Sequence, residues 1–110
     1  MISRKLIAAS YEPIVLSILE GAATYGYDLI KRVDRLSDGS IRWTPGTLYP
    51  LLHDMEASGL VKASWETADS GRERKYYAIT PKGRRTLARA KGEWLRVNAV
   101  LSRLWGPLPA

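Results

Sequence analysis

Apolar positions recur along the chain in blocks of helical spacing, interrupted by two short runs of strand character. The first block, Ile14, Val15, Leu16, Ile18 and Leu19, is dense enough for the buried face of a helix that ends at Gly21. Pro13 falls near its start, where the missing N–H is tolerated, whereas a helix beginning at Lys5 would be kinked there. Thr24 reads as the N-cap of a second helix, with Tyr25, Leu29, Val33 and Leu36 along one side and Ser37-Asp38-Gly39-Ser40 as its stop. The few residues between them predict a tight helix-turn-helix. Thr44-Pro45 announces a third helix: a capping hydroxyl, then proline at the first helical position. Leu48, Leu51, Leu52 and Met55 form its inner stripe, Gly59 its left-handed stop, and Gly46, Thr47 and Tyr49 project away from that stripe. Pro50, inside this helix, predicts a kink or a tight first turn.

Residues 60–66 and 74–80 are rich in aromatic and β-branched side chains and flank a polar, glycine-containing segment, which predicts a β-hairpin. Thr80-Pro81 repeats the cap-and-proline signal and opens a last helix that runs to about Trp105 and ends at Gly106-Pro107. Three helices, a hairpin and a final helix outline a winged helix-turn-helix. The expected fold is mainly α with a small β-hairpin: a winged helix-turn-helix over residues 1–82 and a C-terminal dimerisation helix over 83–106, in one compact unit. In that layout the third helix enters a major groove and the wing follows the backbone or an adjacent minor groove.

Charge sharpens this picture. The net charge is +6, and the segment 62–91 holds nine basic against three acidic residues, so it carries the whole excess. Such a patch suits a polyanion, or else merely a solvated surface, and its place on the wing and the following helix favours nucleic acid. A chain of 110 residues, 45% hydrophobic and 25% charged, suits one globular domain. The lack of cysteine excludes disulfides and thiolate chemistry and fits a reducing compartment. No apolar run reaches the roughly 18 residues of a membrane span, and Met1-Ile2-Ser3-Arg4-Lys5 is not followed by a signal-peptide core, so a cytoplasmic location is expected.

In the last helix, Leu87, Ala90, Trp94, Val97, Leu101 and Leu104 follow alternating steps of three and four, the spacing of a helix-pairing seam. A second row, Ala88, Lys91, Leu95 and Ala99, is expected against the chain's own first helix. The seam predicts a homodimer on double-stranded DNA, with half-sites of an inverted repeat about 34 Å apart. The competing reading is a winged-helix interaction module that binds an acidic protein through the same surface. Enzymatic chemistry is not expected: His53 stands alone, Asp54 and Glu56 are ordinary helix carboxylates, no phosphate loop of the Walker type is present, and no metal or cofactor is implied.

The strings Tyr25-Gly26-Tyr27-Asp28-Leu29, Thr44-Pro45-Gly46-Thr47-Leu48-Tyr49-Pro50-Leu51-Leu52 and Gly71-Arg72-Glu73-Arg74-Lys75-Tyr76-Tyr77-Ala78-Ile79-Thr80-Pro81 resemble the signature of the PadR family of bacterial transcriptional regulators, with the blocks in order from about residue 10 to 105. The resemblance implies a dimeric repressor of the short subfamily, with a single C-terminal dimerisation helix. Carried over by position, it implies that Thr44, Gly46, Thr47 and Tyr49 contact DNA at the start of the recognition helix and that Arg72, Arg74 and Lys75 do so from the wing. The chain departs from the family pattern at His53 and Asp54, since Asp54 would repel phosphate if it faced DNA, and at Ser70, where a second glycine is common. The resemblance also implies a cavity between subunits for a small aromatic or hydrophobic effector, lined by Trp94, Val97, Asn98 and Leu101. The alternative for Trp94 is plain interface core.

Overall fold

The computed structural model describes residues 2–106; the Pro107 stop signal and Met1 lie outside the described residues. The elements follow as α1 (Arg4–Gly21), β1 (Thr24–Tyr25), α2 (Gly26–Leu36), α3 (Pro45–Ala57), β2 (Val61–Thr67), β3 (Glu73–Ile79) and α4 (Pro81–Trp105). The mainly helical winged fold is as the sequence predicts. Two local readings differ. The first helix starts at Arg4, so Pro13 sits in its interior rather than near its start. Thr24 does not cap α2 but lies in a two-residue strand, where its hydroxyl donates to the Asp28 carboxylate at 2.7 Å, and Tyr25 becomes the N-cap residue without a side-chain cap.

That strand enlarges the hairpin into a three-stranded antiparallel sheet in the order β1-β3-β2, with Thr24 opposite Tyr77 and Tyr25 opposite Tyr76. β2 and β3 pair in full register from Val61–Ile79 to Thr67–Glu73. Alternation sends Tyr77 into the core, 3% exposed, and leaves Tyr76 half-buried against Tyr25.

The core sits where α1, α2, α3 and the root of the sheet meet. Val15, Leu16, Leu19, Leu29, Val33, Leu48, Leu52, Met55 and Leu87 are its most deeply buried side chains. Leu51 is half-buried against it. Leu36, in contrast, is 74% exposed at the end of α2, off the inner face that the spacing predicts for it.

Caps set α3 and α4. The Thr44 side chain accepts a hydrogen bond from the Thr47 N–H at 3.3 Å, and that of Thr80 accepts one from the Gly83 N–H at 3.0 Å. Gly59, at φ +78°, ends the α3 segment in the left-handed region, and Lys82 donates to the Ser58 carbonyl there at 2.7 Å. α4 then meets the body through Gly83, whose missing side chain lets the helix approach the Leu60 carbonyl and Ile79. At 25 residues, or about 37 Å at 1.5 Å per residue, α4 outruns the body it leaves. Its far half is solvent-facing.

Candidate nucleic-acid interface

The first half of α3 is uncovered: Thr44, Gly46 and Thr47 are exposed and Tyr49 is 44% exposed, while Leu48 and Leu52 anchor the opposite face in the core. Besides capping the helix, the Thr44 hydroxyl donates to the Thr47 hydroxyl at 3.2 Å. Beside this helix lies a trough of about 600 Å³ lined by Tyr25, Tyr27, Tyr49, Trp65 and the wing residues 72–75. It brings together Tyr49, Arg72, Arg74 and Lys75, four residues that the sequence singles out on separate elements.

Their states differ. Arg72 is exposed near the tip. Arg74 is half-buried, with its guanidinium 4.3 Å from the centre of the Tyr25 ring, which in turn packs edge-on against Tyr76 at 5.4 Å. The stack holds the arginine in place on the wing, one residue pair from the tip end of the ladder. Lys75 pairs with Glu56 of α3 at 3.4 Å and lies over the Tyr77 ring. Burial pushes the Tyr77 hydroxyl above its ordinary pKa, and the Lys75 ammonium works against that shift. Lys75 thus tethers wing to helix instead of standing free.

Three aromatic members of the trough are not marked as site residues by the sequence. The spacing places Tyr25 on a helix face, Tyr27 is 58% exposed with Lys31 5.1 Å from its ring centre, and Trp65 is 67% exposed opposite Lys75 in the sheet. The alternation of β2 carries the Trp65 signal, because Val61 and Ala63 turn inward at the same phase only near the strand's root. The basic segment is also less uniform than a charge count implies: Lys91 pairs at 3.2 Å with Glu20 of α1, 71 residues away in sequence, and Lys82 caps α3. His53 and Asp54 are exposed on α3. Among the described residues no three His, Cys, Asp or Glu side chains gather as a metal site, and no helix is long and apolar enough to cross a membrane.

On α4 the predicted seam divides. Leu87 is 1% exposed and belongs to the protomer's own core cluster, which removes it from any surface seam. Ala90 and Leu101 are half-buried, and Trp94, Val97 and Leu104 are exposed. The second row is not covered by α1 as expected. Of this row only Lys91 reaches that helix, through Glu20, while Ala88, Leu95 and Ala99 are exposed. A groove of about 440 Å³ between α1 and α4 is lined by Ile14, Ile18, Leu36, Leu87 and Trp94, among others. Trp94 is the member of the effector set that lines it; Val97, Asn98 and Leu101 lie outside it within one protomer.

A capped helix with an uncovered N-terminal half, set beside an aromatic and basic wing, defines a winged-helix DNA-binding protein. The sequence model of the "Transcriptional regulator PadR-like family" matches residues 15–89, and the chain belongs to that family of transcriptional regulators. A solved transcriptional regulator from Clostridium thermocellum superposes with a TM-score of 0.85 at 27% identity, over 96% of this chain and 99% of that one. A PadR family transcription regulator from Clostridium difficile R20291 gives 0.77 at 31% identity, over 88% and 99%. Transcriptional regulator Rv3488 of Mycobacterium tuberculosis is 48% identical over 52 residues, which is 47% of this chain and 48% of that protein, so about half of that relative's length is matched.

Proposed function

We propose that the chain is a transcriptional repressor that binds an inverted-repeat operator as a homodimer, with Thr44, Gly46, Thr47 and Tyr49 placed in the major groove and Arg72 and Arg74 on the flanking backbone. The observation that carries this reading is the trough that joins Tyr49 of the recognition helix to the arginines of the wing. Helix N-terminal N–H groups and hydroxyls suit phosphate and base edges, and guanidinium groups suit phosphate. Pairing through the exposed part of α4 would present two recognition helices to one side of a duplex, with half-sites about one turn, or 34 Å, apart. The groove at Trp94 supports release by a flat hydrophobic effector, because its lining is mostly apolar and an indole forms part of it.

Selection of bound duplexes from random DNA tests the reading. The expected result is a palindrome whose preference disappears in the Thr47→Ala, Tyr49→Ala double variant. Recovery of no common sequence, with binding that responds only to Arg72 and Arg74, would instead favour a module for acidic proteins. Titration of the Trp94 fluorescence with planar aromatics tests the effector: quenching accompanied by weaker operator binding supports it.

A further inference from the structure

The N-terminus of α1 carries charge where a helix tolerates it least. Arg4 and Lys5 open the helix, no acidic residue occupies its first turn, and cations there oppose the helix dipole. Arg4 lines, with Tyr11, Arg42, Trp43 and Thr47, a hollow of about 460 Å³. Arg4 enters no ion pair among the described residues, and Arg42, whose side chain is 77% exposed, has only a 3.8 Å contact with Asp34. Trp43, 5% exposed and packed edge-on against Tyr11, forms part of the wall. Its indole N–H is the one buried side-chain polar atom among the described residues that has no hydrogen-bond partner.

Thr47 locates this hollow relative to the wing. At about 100° per residue, Thr47 and Tyr49 stand roughly 200° apart around α3. Thr47 lines the Arg4–Arg42 hollow and Tyr49 lines the wing trough, so the two concavities flank the recognition helix on opposite sides. A major groove about 12 Å wide is bordered by two phosphate backbones, and a helix lying in it has one on either side. We infer that Arg4 and Arg42 form a second backbone clamp, so that the wing trough takes the phosphates of one strand and the Arg4–Arg42 hollow those of the other. This rests on the DNA-binding reading and adds two contact residues that a charge count hides, because residues 1–61 hold six basic and seven acidic groups.

The test uses the full chain, a duplex recovered by selection, a random duplex, and the Arg4→Gln, Arg42→Gln double variant. The variant is expected to bind both duplexes about tenfold more weakly, and the log-log salt dependence to become shallower by about 0.9 for each phosphate that is no longer neutralised. Hydroxyl-radical protection should fall on the strand bordering the hollow and persist on the strand beneath the wing. Arg4→Gln alone, which breaks no ion pair, decides the matter if the double variant does not fold. Affinity, salt slope and protection all equal to those of the parent overturn the clamp, and so does a loss confined to the selected sequence, which would mark a base contact. A parent chain that binds selected and random duplexes equally overturns the operator reading instead, and the clamp then stands or falls on the salt slope alone.

Discussion

The ring of Tyr49 fills the space that a side chain on Gly26 would need: a Cβ built there would lie 2.8 Å from the Tyr49 Cε1 and 2.9 Å from its hydroxyl oxygen. The start of α2 therefore seats Tyr49 of α3. Gly26→Ala is expected to swing that ring out of its place in the trough. Because Tyr49 is 44% exposed, the ring has somewhere to go, and the overpacking cost should stay near the low end of about 1–3 kcal/mol. Operator preference should fall toward that of Tyr49→Ala, with the melting temperature only modestly lowered. An alanine variant with unchanged preference by fluorescence anisotropy would show that the tyrosine's seat does not matter to recognition.

Gly46 presents the opposite case. It lies in the first turn of α3, yet the nearest atom a Cβ would meet is the Thr44 hydroxyl oxygen at 3.9 Å, an ordinary contact. Nothing inside the protein requires glycine here, and glycine within a helix costs roughly 0.5–1 kcal/mol relative to alanine. Gly46→Ala is thus expected to raise stability by up to about that amount while weakening DNA binding, because the added methyl stands where a duplex would approach. Chemical denaturation and operator titration on the same variant check both signs; a variant that gains stability and keeps full affinity would remove Gly46 from the interface.

The Glu56–Lys75 pair joins α3 to the wing, and both side chains are about one-third exposed, 37% and 33%. Solvent screening limits such a pair to about 0–1 kcal/mol of stability. Glu56→Gln should leave the fold within that range while releasing the Lys75 ammonium from its partner. Binding to any duplex is then expected to tighten, with a steeper salt dependence and less discrimination between operator and random DNA. Weaker binding by Glu56→Gln would mean that the tether, by holding the wing at its angle, matters more than the charge it occupies.

Local signals explain what is legible in the sequence. Thr44-Pro45 and Thr80-Pro81 predict helix starts because a cap is decided within three residues, and both hydroxyls accept the bonds expected of them. β1 is invisible there for the converse reason: two residues have no periodicity, and the strand exists only because Tyr76 and Tyr77, far along the chain, pair with it. Thr24 suits a cap and a strand equally well until Asp28 takes its hydroxyl. At the site, projection from the apolar stripe of α3 is enough to mark Gly46, Thr47 and Tyr49. The tie between Lys75 and Glu56, and the place of Arg4 beside Thr47, depend on tertiary packing that no spacing along the chain encodes.

The far half of α4 carries the last prediction. Leu95, Val97, Val100, Leu104 and Trp105 are each between 56% and 74% exposed on this helix, and they lie on more than one of its faces. A single heptad seam would cover Val97 and Leu104 and leave Leu95 in water, so a partner must wrap the helix more broadly than the seam predicts if all are to be covered. Burying each large aliphatic side chain is worth roughly 1.5–3 kcal/mol. A charge there should therefore split the proposed dimer even off the seam. Leu95→Asp and Val97→Asp are each expected to shift the sedimenting species from dimer to monomer at micromolar concentration, while the deeply buried cluster around Leu16 and Leu52 keeps the protomer folded. Operator affinity should drop with dimer loss, because a lone protomer contacts one half-site. If Val97→Asp dissociates the dimer and Leu95→Asp does not, the narrow seam is correct; a parent chain that sediments as a monomer, with a melting temperature independent of concentration, would exclude pairing through α4 altogether.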